Sequence, residues 1–360
     1  MDNLAVFQYA ASVLDGGQPV ALVTVVAVTG STPGKVGYKM LVFEEGRRTA
    51  GTVGGGLIEA RMIEEAAAML GQPRCRLFHF DLGETPDDEK GICGGSVDFL
   101  VEAFDATALP LFTELLEAAK GDEGGVLVSI LAHDGVPRKL LVKDVERIGA
   151  SDSGFSQEIA TALGQATASE EAGRRVAAGG LEAFIEPLIV QPCLVLFGAG
   201  HLSAHVARLA KSVHFRVVIC DDRPEYANAE RFGGVDEIVV EDFSRALDRV
   251  RIDDRSYIVI VTRGHRHDEI VLERAVGTGA RYIGMIGSKR KTLTLLEKLR
   301  AKGIAKDLLD RVYSPIGIAI GAVTPEEIAL SIVCELVKVR RLGDEAEVSH
   351  MSLSRRGSEP

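Results

Sequence analysis

Residues 193–223, CLVLFGAGHLSAHVARLAKSVHFRVVICDDR, constrain the fold of this chain more than any other stretch. Cys193–Phe197 is a short apolar run rich in β-branched residues, and Gly198-Ala199-Gly200 closes it with a tight turn. From His201 to His214 apolar residues recur at helical spacing (Leu202, Val206, Leu209, Ala210, Val213). A second strand over Arg216–Cys220 ends on paired acids, Asp221 and Asp222. Strand, glycine turn, helix, strand and acid is the order of a dinucleotide-binding βαβ unit. Gly198 permits the sharp turn. Gly200 lets backbone amides approach a pyrophosphate at the positive end of the helix that His201 opens. An acid at the end of the next strand can hydrogen-bond a ribose diol, which marks Asp221 and Asp222. Ser203 stands where the fingerprint has its third glycine, so helix and strand must sit slightly further apart.

The chain after this unit keeps alternating. Strands are expected over Glu237–Val240, Ser256–Thr262, Arg281–Gly287 and Val312–Gly317, and helices over Asp268–Gly277, Ser288–Lys302 and Thr324–Arg341. Thr324-Pro325-Glu326-Glu327 is a strong helix start, with a hydroxyl cap, a proline in the first turn and acids at the positive end. Such alternation builds a doubly wound parallel sheet with ligand loops at the carboxyl ends of its strands. Three loops fall there. One carries Arg263, His265, His267 and Asp268, which suit metal binding or proton transfer, or equally capping of the helix that follows. The second, Gly287–Lys291, offers Ser288 and Lys289 at a helix start as a phosphate contact. The third, Tyr313–Gly317, is a rigid turn of structural character.

The first half is expected to be α+β. Leu4–Leu14 has helical periodicity, and Val20–Val28 is a continuous β-rich run, a strand covered on both faces. Lys39–Phe43, Thr49–Val53, Arg74–Asp81 and Val97–Phe104 add strands, Leu109–Lys120 a helix, and Val126–Leu131 with Lys139–Val142 a hairpin. Residues 150–180 are polar and are expected to hold a helix or two, with a strand over Leu181–Val190. Gly54, Gly55 and Gly56 stand directly before a helix that contains Glu59. They serve either as an amide cradle for an oxyanion or as a tight connection needing positive φ. Cys93, beside Gly94 and Gly95 in a glycine-rich loop, has the setting of an accessible thiolate, whereas Cys193, Cys220 and Cys334 lie inside apolar runs. The expected division is 1–190, 191–341 and a polar tail over 342–360.

A net charge of −11 argues against a nucleic-acid surface, and no apolar run is long enough to span a bilayer. Five irregularly spaced cysteines form neither a disulfide framework nor a zinc site, and the opening Met1-Asp2-Asn3 is unlike a secretory leader, so a reducing cytoplasm is expected.

Several motifs, in order along most of the chain, resemble the XdhC/CoxI family. They are Gly30-Ser31-Thr32-Pro33, Gly51–Gly56 with Glu59, and Cys93-Gly94-Gly95, then Phe197–His201 and Asp221-Asp222-Arg223-Pro224. Thr262–His265 with Asp268, Gly287–Arg290, Ser314–Gly317 and Thr324–Glu327 complete the set. Gly34-Lys35 stands where the family commonly has an arginine. The resemblance implies an accessory factor that binds the molybdenum cofactor (molybdopterin) and supports its sulfuration with a cysteine desulfurase. Such a factor then inserts the cofactor into a xanthine dehydrogenase-type molybdenum hydroxylase, as a chaperone rather than an enzyme with turnover of its own. On that reading Gly54–Gly56 seat the phosphate and Cys93 contacts molybdenum or its sulfur. Loops of the first domain would face the sheet of the second, and a homodimer is expected by analogy. Two rival readings are an NAD(P)-dependent oxidoreductase, using the glycine turn with His265 or His267, and a sulfur-handling enzyme acting through Cys93 alone.

Overall fold

A computed structural model describes residues 3–82, 95–120, 125–131, 135–143, 173–178, 181–188 and 190–343. The chain divides into two compact units, Met1–Val190 and Gln191–Pro360.

In the first unit, β1 (Val20–Thr29) is the centre of a five-stranded antiparallel sheet. It pairs with β2 (Lys39–Phe43) and β5 (Ser96–Phe104), and β3 (Arg48–Gly51) and β4 (Arg74–Asp81) form the edges. Alternation places Val20 and Leu22 of β1 against α1 (Asn3–Asp15) and α3 (Leu109–Lys120). Ala21, Val23 and Val25 face α2 (Gly56–Ala67). The strand is therefore covered on both faces, as its unbroken apolar run predicts. A second antiparallel sheet has the order β7 (Arg138–Val142), β6 (Gly125–Ile130), β9 (Leu181–Leu188), β8 (Arg174–Ala178). The helical segment expected over 150–180 falls mostly outside the described residues, and its last part is the strand β8.

Two buried ion pairs join these sheets. The Lys39 ammonium donates to both oxygens of Glu186, at 2.7 and 2.8 Å, and Lys139 lies 2.7 Å from Glu102 while donating to Ser129. All four charged side chains are buried. Burial pushes the Lys39 pKa down, and Glu186 opposes that shift.

The second unit is a six-stranded parallel sheet in the order β12 (Glu237–Val240), β11 (Arg216–Asp221), β10 (Cys193–Phe197), β13 (Ser256–Ile260), β14 (Tyr282–Met285), β15 (Val312–Tyr313). Numbered from β10, this is the 3-2-1-4-5-6 order of the doubly wound fold. One face carries α4 (His201–Ser212) and α8 (Pro325–Leu342), packed on Leu194, Leu196, Val217, Ile219 and Val259. The other carries α5 (His265–Ala275) and α6 (Lys289–Ala301), packed on Val195, Phe197, Val218 and Ile258. A short helix, α7 (Lys306–Asp310), is an addition to the expected elements, and α5 begins three residues earlier than expected. Thr324 and Glu327 close a reciprocal capping box at the start of α8. Among the described residues no helix is long and apolar enough to cross a membrane.

Candidate functional site

Each unit gathers glycine-rich loops at one end of its central sheet. In the first unit, three motifs far apart in sequence share backbone contacts too close for side chains. A Cβ on Gly34 would sit 2.3 Å from the Val53 carbonyl oxygen, and one on Gly95 would sit 2.1 Å from that of Thr29. The Gly30–Gly34 loop thus touches both the Val53–Gly56 turn and the start of β5. Thr29 Oγ1 accepts from the Ser96 amide at 3.1 Å and lies 2.8 Å from Ser96 Oγ, which closes the same seam.

The structure shows the tight connection expected of Gly54–Gly56. Their φ angles are 132°, 79° and 72°, which only glycine adopts without strain. The cradle they form already holds an anion from within the chain. Glu59 Oε2 accepts from the amides of Val53 at 2.9 Å and Gly55 at 3.1 Å and from Thr52 Oγ1 at 2.5 Å, while the Gly54 amide donates to Thr52 Oγ1. Burial opposes ionisation of Glu59, but these donated bonds outweigh it and hold its pKa below the usual range. The first turn of α2 thus carries its own acid back onto the amides of Val53 and Gly55. Cys93 and Gly94 lie outside the described residues, and Gly95 is the described end of their motif.

The second unit repeats the device. Gly198, with φ 109°, closes β10, and a Cβ there would lie 2.5 Å from the Val261 carbonyl oxygen after β13. Asp221 is buried, and its Oδ2 accepts from the Ala199 amide at 2.7 Å. Arg223 supplies three more donors to the same carboxylate, from its amide and its guanidinium, at 2.9 to 3.1 Å. Four donors fill the roughly four acceptor positions of a carboxylate. Asp221, one of the two acids expected to take a ribose diol, is therefore occupied by Ala199 and Arg223. Arg223 is not a position that the dinucleotide-binding pattern marks, although it directly follows the acid pair.

Asp222 points elsewhere. Arg263, in the loop after β13, donates to its two oxygens at 2.6 and 2.8 Å. Since β11 and β13 flank β10, this bidentate pair spans the strand whose end carries the glycine turn. The Arg263 hydrogen bonds lower the Asp222 pKa. Asp268 is buried, which raises its pKa, and it accepts from Thr262 Oγ1 at 2.6 Å. His265 is exposed with Nδ1 4.0 Å from Asp268, whereas His267 packs against Phe243 at 5.2 Å between ring centroids. The two histidines therefore serve different neighbours. Among the described residues no group of three or more His, Cys, Asp or Glu is placed to hold a metal ion.

Ser288 caps α6, its Oγ accepting from the Lys291 amide, and Lys289 is exposed beside it. Glu335 of α8 accepts from the Gly317 amide at 2.9 Å and from Tyr282 Oη at 2.5 Å, pinning the Ser314–Gly317 turn. His201 is exposed at the start of α4, and Gly200 has open space around it. Ser203 is fully buried, and among the described residues its hydroxyl finds no hydrogen-bond partner. Burial raises the thiol pKa values of Cys193 and Cys220. Cys334, expected inside an apolar run, lies on the exposed side of α8.

This arrangement supplies backbone amides, held in fixed turns, and exposed basic side chains at one end of the sheet. In each unit these amides hold a carboxylate of the chain itself. The chain is similar to known proteins along most of its length. Residues 194–336 match the XdhC Rossmann domain, and residues 13–81 match the XdhC and CoxI family. A probable xanthine dehydrogenase component of Bacillus subtilis is 25% identical over 335 residues, 92% of this chain and 96% of that protein. The molybdenum cofactor insertion chaperone PaoD of Escherichia coli is 24% identical over 342 residues, 94% of this chain and 89% of its own length. A crystal structure described as a xanthine dehydrogenase from Bacillus halodurans superposes with a TM-score of 0.76 at 25% identity, over 97% of this chain and 98% of that one. The chain belongs to the XdhC and CoxI family.

Proposed function

We propose that this protein binds the molybdenum cofactor in the cytoplasm, holds it while a cysteine desulfurase supports its sulfuration, and inserts it into a xanthine dehydrogenase-type hydroxylase. The observation that carries this reading is the likeness to the insertion chaperone PaoD, which extends over 94% of this chain and 89% of that protein. Each unit has backbone donors of the kind that suit a phosphate. Amides at Val53, Gly55 and Ala199 already accommodate carboxylate oxygens, and Ser288, Lys289 and Arg263 stand at the strand ends of the second unit. When bound, the cofactor supplies a soft molybdenum centre whose ligands favour thiolate contact. Cys93 is the residue proposed for that contact, because its motif ends at Gly95, against the Thr29–Ser31 loop. In this role Lys289, and Arg263 once released from Asp222, orient the anionic end.

The test is pterin and molybdenum analysis of the full chain isolated from a molybdenum-replete host. Wild-type protein is expected to carry both, and the Cys93→Ala variant to lose most of the molybdenum. A wild-type protein free of pterin would overturn the reading. A Cys93→Ala variant with full cofactor content would remove Cys93 from it.

A further inference from the structure

On the flank of α4 the second unit holds a cleft of about 360 Å³, walled by His205, Arg208 and Lys211 on one side and residues 231–235 on the other. Two of its basic side chains already have acidic neighbours. Lys211 donates to Asp236 at 2.8 and 2.9 Å, and His205 Nε2 lies 3.3 Å from Glu326. Among the described residues neither the Arg208 nor the Arg231 guanidinium meets a carboxylate within 4.0 Å, although Arg208 is near enough to Glu326 for the two charges to interact. Arg208 is exposed, with one guanidinium nitrogen 3.3 Å from His205 Nδ1. Arg231 lies over the Tyr226 ring at 4.8 Å from its centroid, so its fork is held in place before any ligand arrives.

A second, independent feature lies in the wall opposite the helix. The amides of Gly233 and Gly234 donate to no protein acceptor among the described residues, and Gly234 has φ 93°. A Cβ at Gly234 would meet nothing within 4 Å. Consecutive free amides at a left-handed turn form a concave set of donors for an oxyanion. Neither guanidinium belongs to the glycine-turn site, which lies at the carboxyl ends of the strands.

We propose that this cleft is a second anion site that takes a small phosphate-bearing ligand, held between Arg208, Arg231 and the Gly233–Gly234 amides. Its size lies within the range of small-molecule pockets, and paired guanidinium forks with backbone amides match tetrahedral phosphate oxygens. The proposal does not depend on molybdenum cofactor binding, which uses other residues.

Inorganic pyrophosphate titrated into the full chain by calorimetry tests it, with wild type beside Arg208→Ala, Arg231→Gln and the charge-matched control Arg300→Ala. Wild type and Arg300→Ala are expected to bind alike, and each cleft variant to bind about tenfold more weakly or worse. Arg208 is exposed, so its variant keeps the fold, and thermal melting of both variants checks this. No binding heat at millimolar pyrophosphate would overturn the site. So would unchanged binding in both cleft variants, or equal weakening in all three, which would mark bulk charge alone.

Discussion

At the residue scale the most informative groups are two carboxylates turned onto their own backbone. Glu59 is ionised at lower pH in the folded chain than in the unfolded one. Its stabilisation is therefore complete above the ordinary glutamate pKa and is lost as pH falls through the lower folded value. Hydrogen exchange at the Val53 and Gly55 amides is expected to accelerate in that acidic window, and Glu59→Ala to abolish the pH dependence at a cost of about 1 kcal/mol. Exchange at those amides indifferent to both changes would contradict the assignment. Ser203 offers the opposite sign. Its buried hydroxyl lacks a partner among the described residues, so Ser203→Ala is expected to stabilise the second unit by about 1 kcal/mol, read from urea unfolding. A destabilised variant would mean that the hydroxyl does find a bond.

At the scale of elements, the two sheets of the first unit are joined by charge as well as by hydrocarbon. Lys39→Met leaves the Glu186 carboxylate buried without its partner and is expected to cost about 3–5 kcal/mol. The double variant Lys39→Met/Glu186→Leu is expected to recover most of that loss. Denaturant midpoints for the two variants check both expectations, and equal losses would refute them. Most of this architecture is legible in the sequence, because the parallel strands are buried on both faces and announce themselves as apolar runs. Strand β8 is not legible. RRVAA lies at a sheet edge, and its Arg175 is occupied with Asp98 and Glu182, so no apolar alternation marks it. Helix α7, five residues long, is too short to show a period. The candidate site is legible as separate motifs only. Spacing cannot reveal that Gly34 meets Val53 or that Gly95 meets Thr29, since these are contacts across the fold. One hint is present: an acid in the first turn after three glycines is placed to meet free amides at a helix start.

At the scale of the molecule, the second unit has hydrophobic clusters on both faces of its sheet drawn wholly from its own residues. A fragment spanning 191–343 is therefore expected to fold alone and to melt in one cooperative transition by circular dichroism. A fragment without such a transition would show that the first unit is needed to complete it. The same fragment retains the Asp221–Ala199 bond, and the first unit retains the Glu59 cradle, so each half carries a built-in anion. A visiting oxyanion at either turn must then evict a resident one, and the net grip is only the difference between the two. A guest held by such a contest lets go almost as readily as it is taken up, a useful trait wherever a ligand is meant to be passed on.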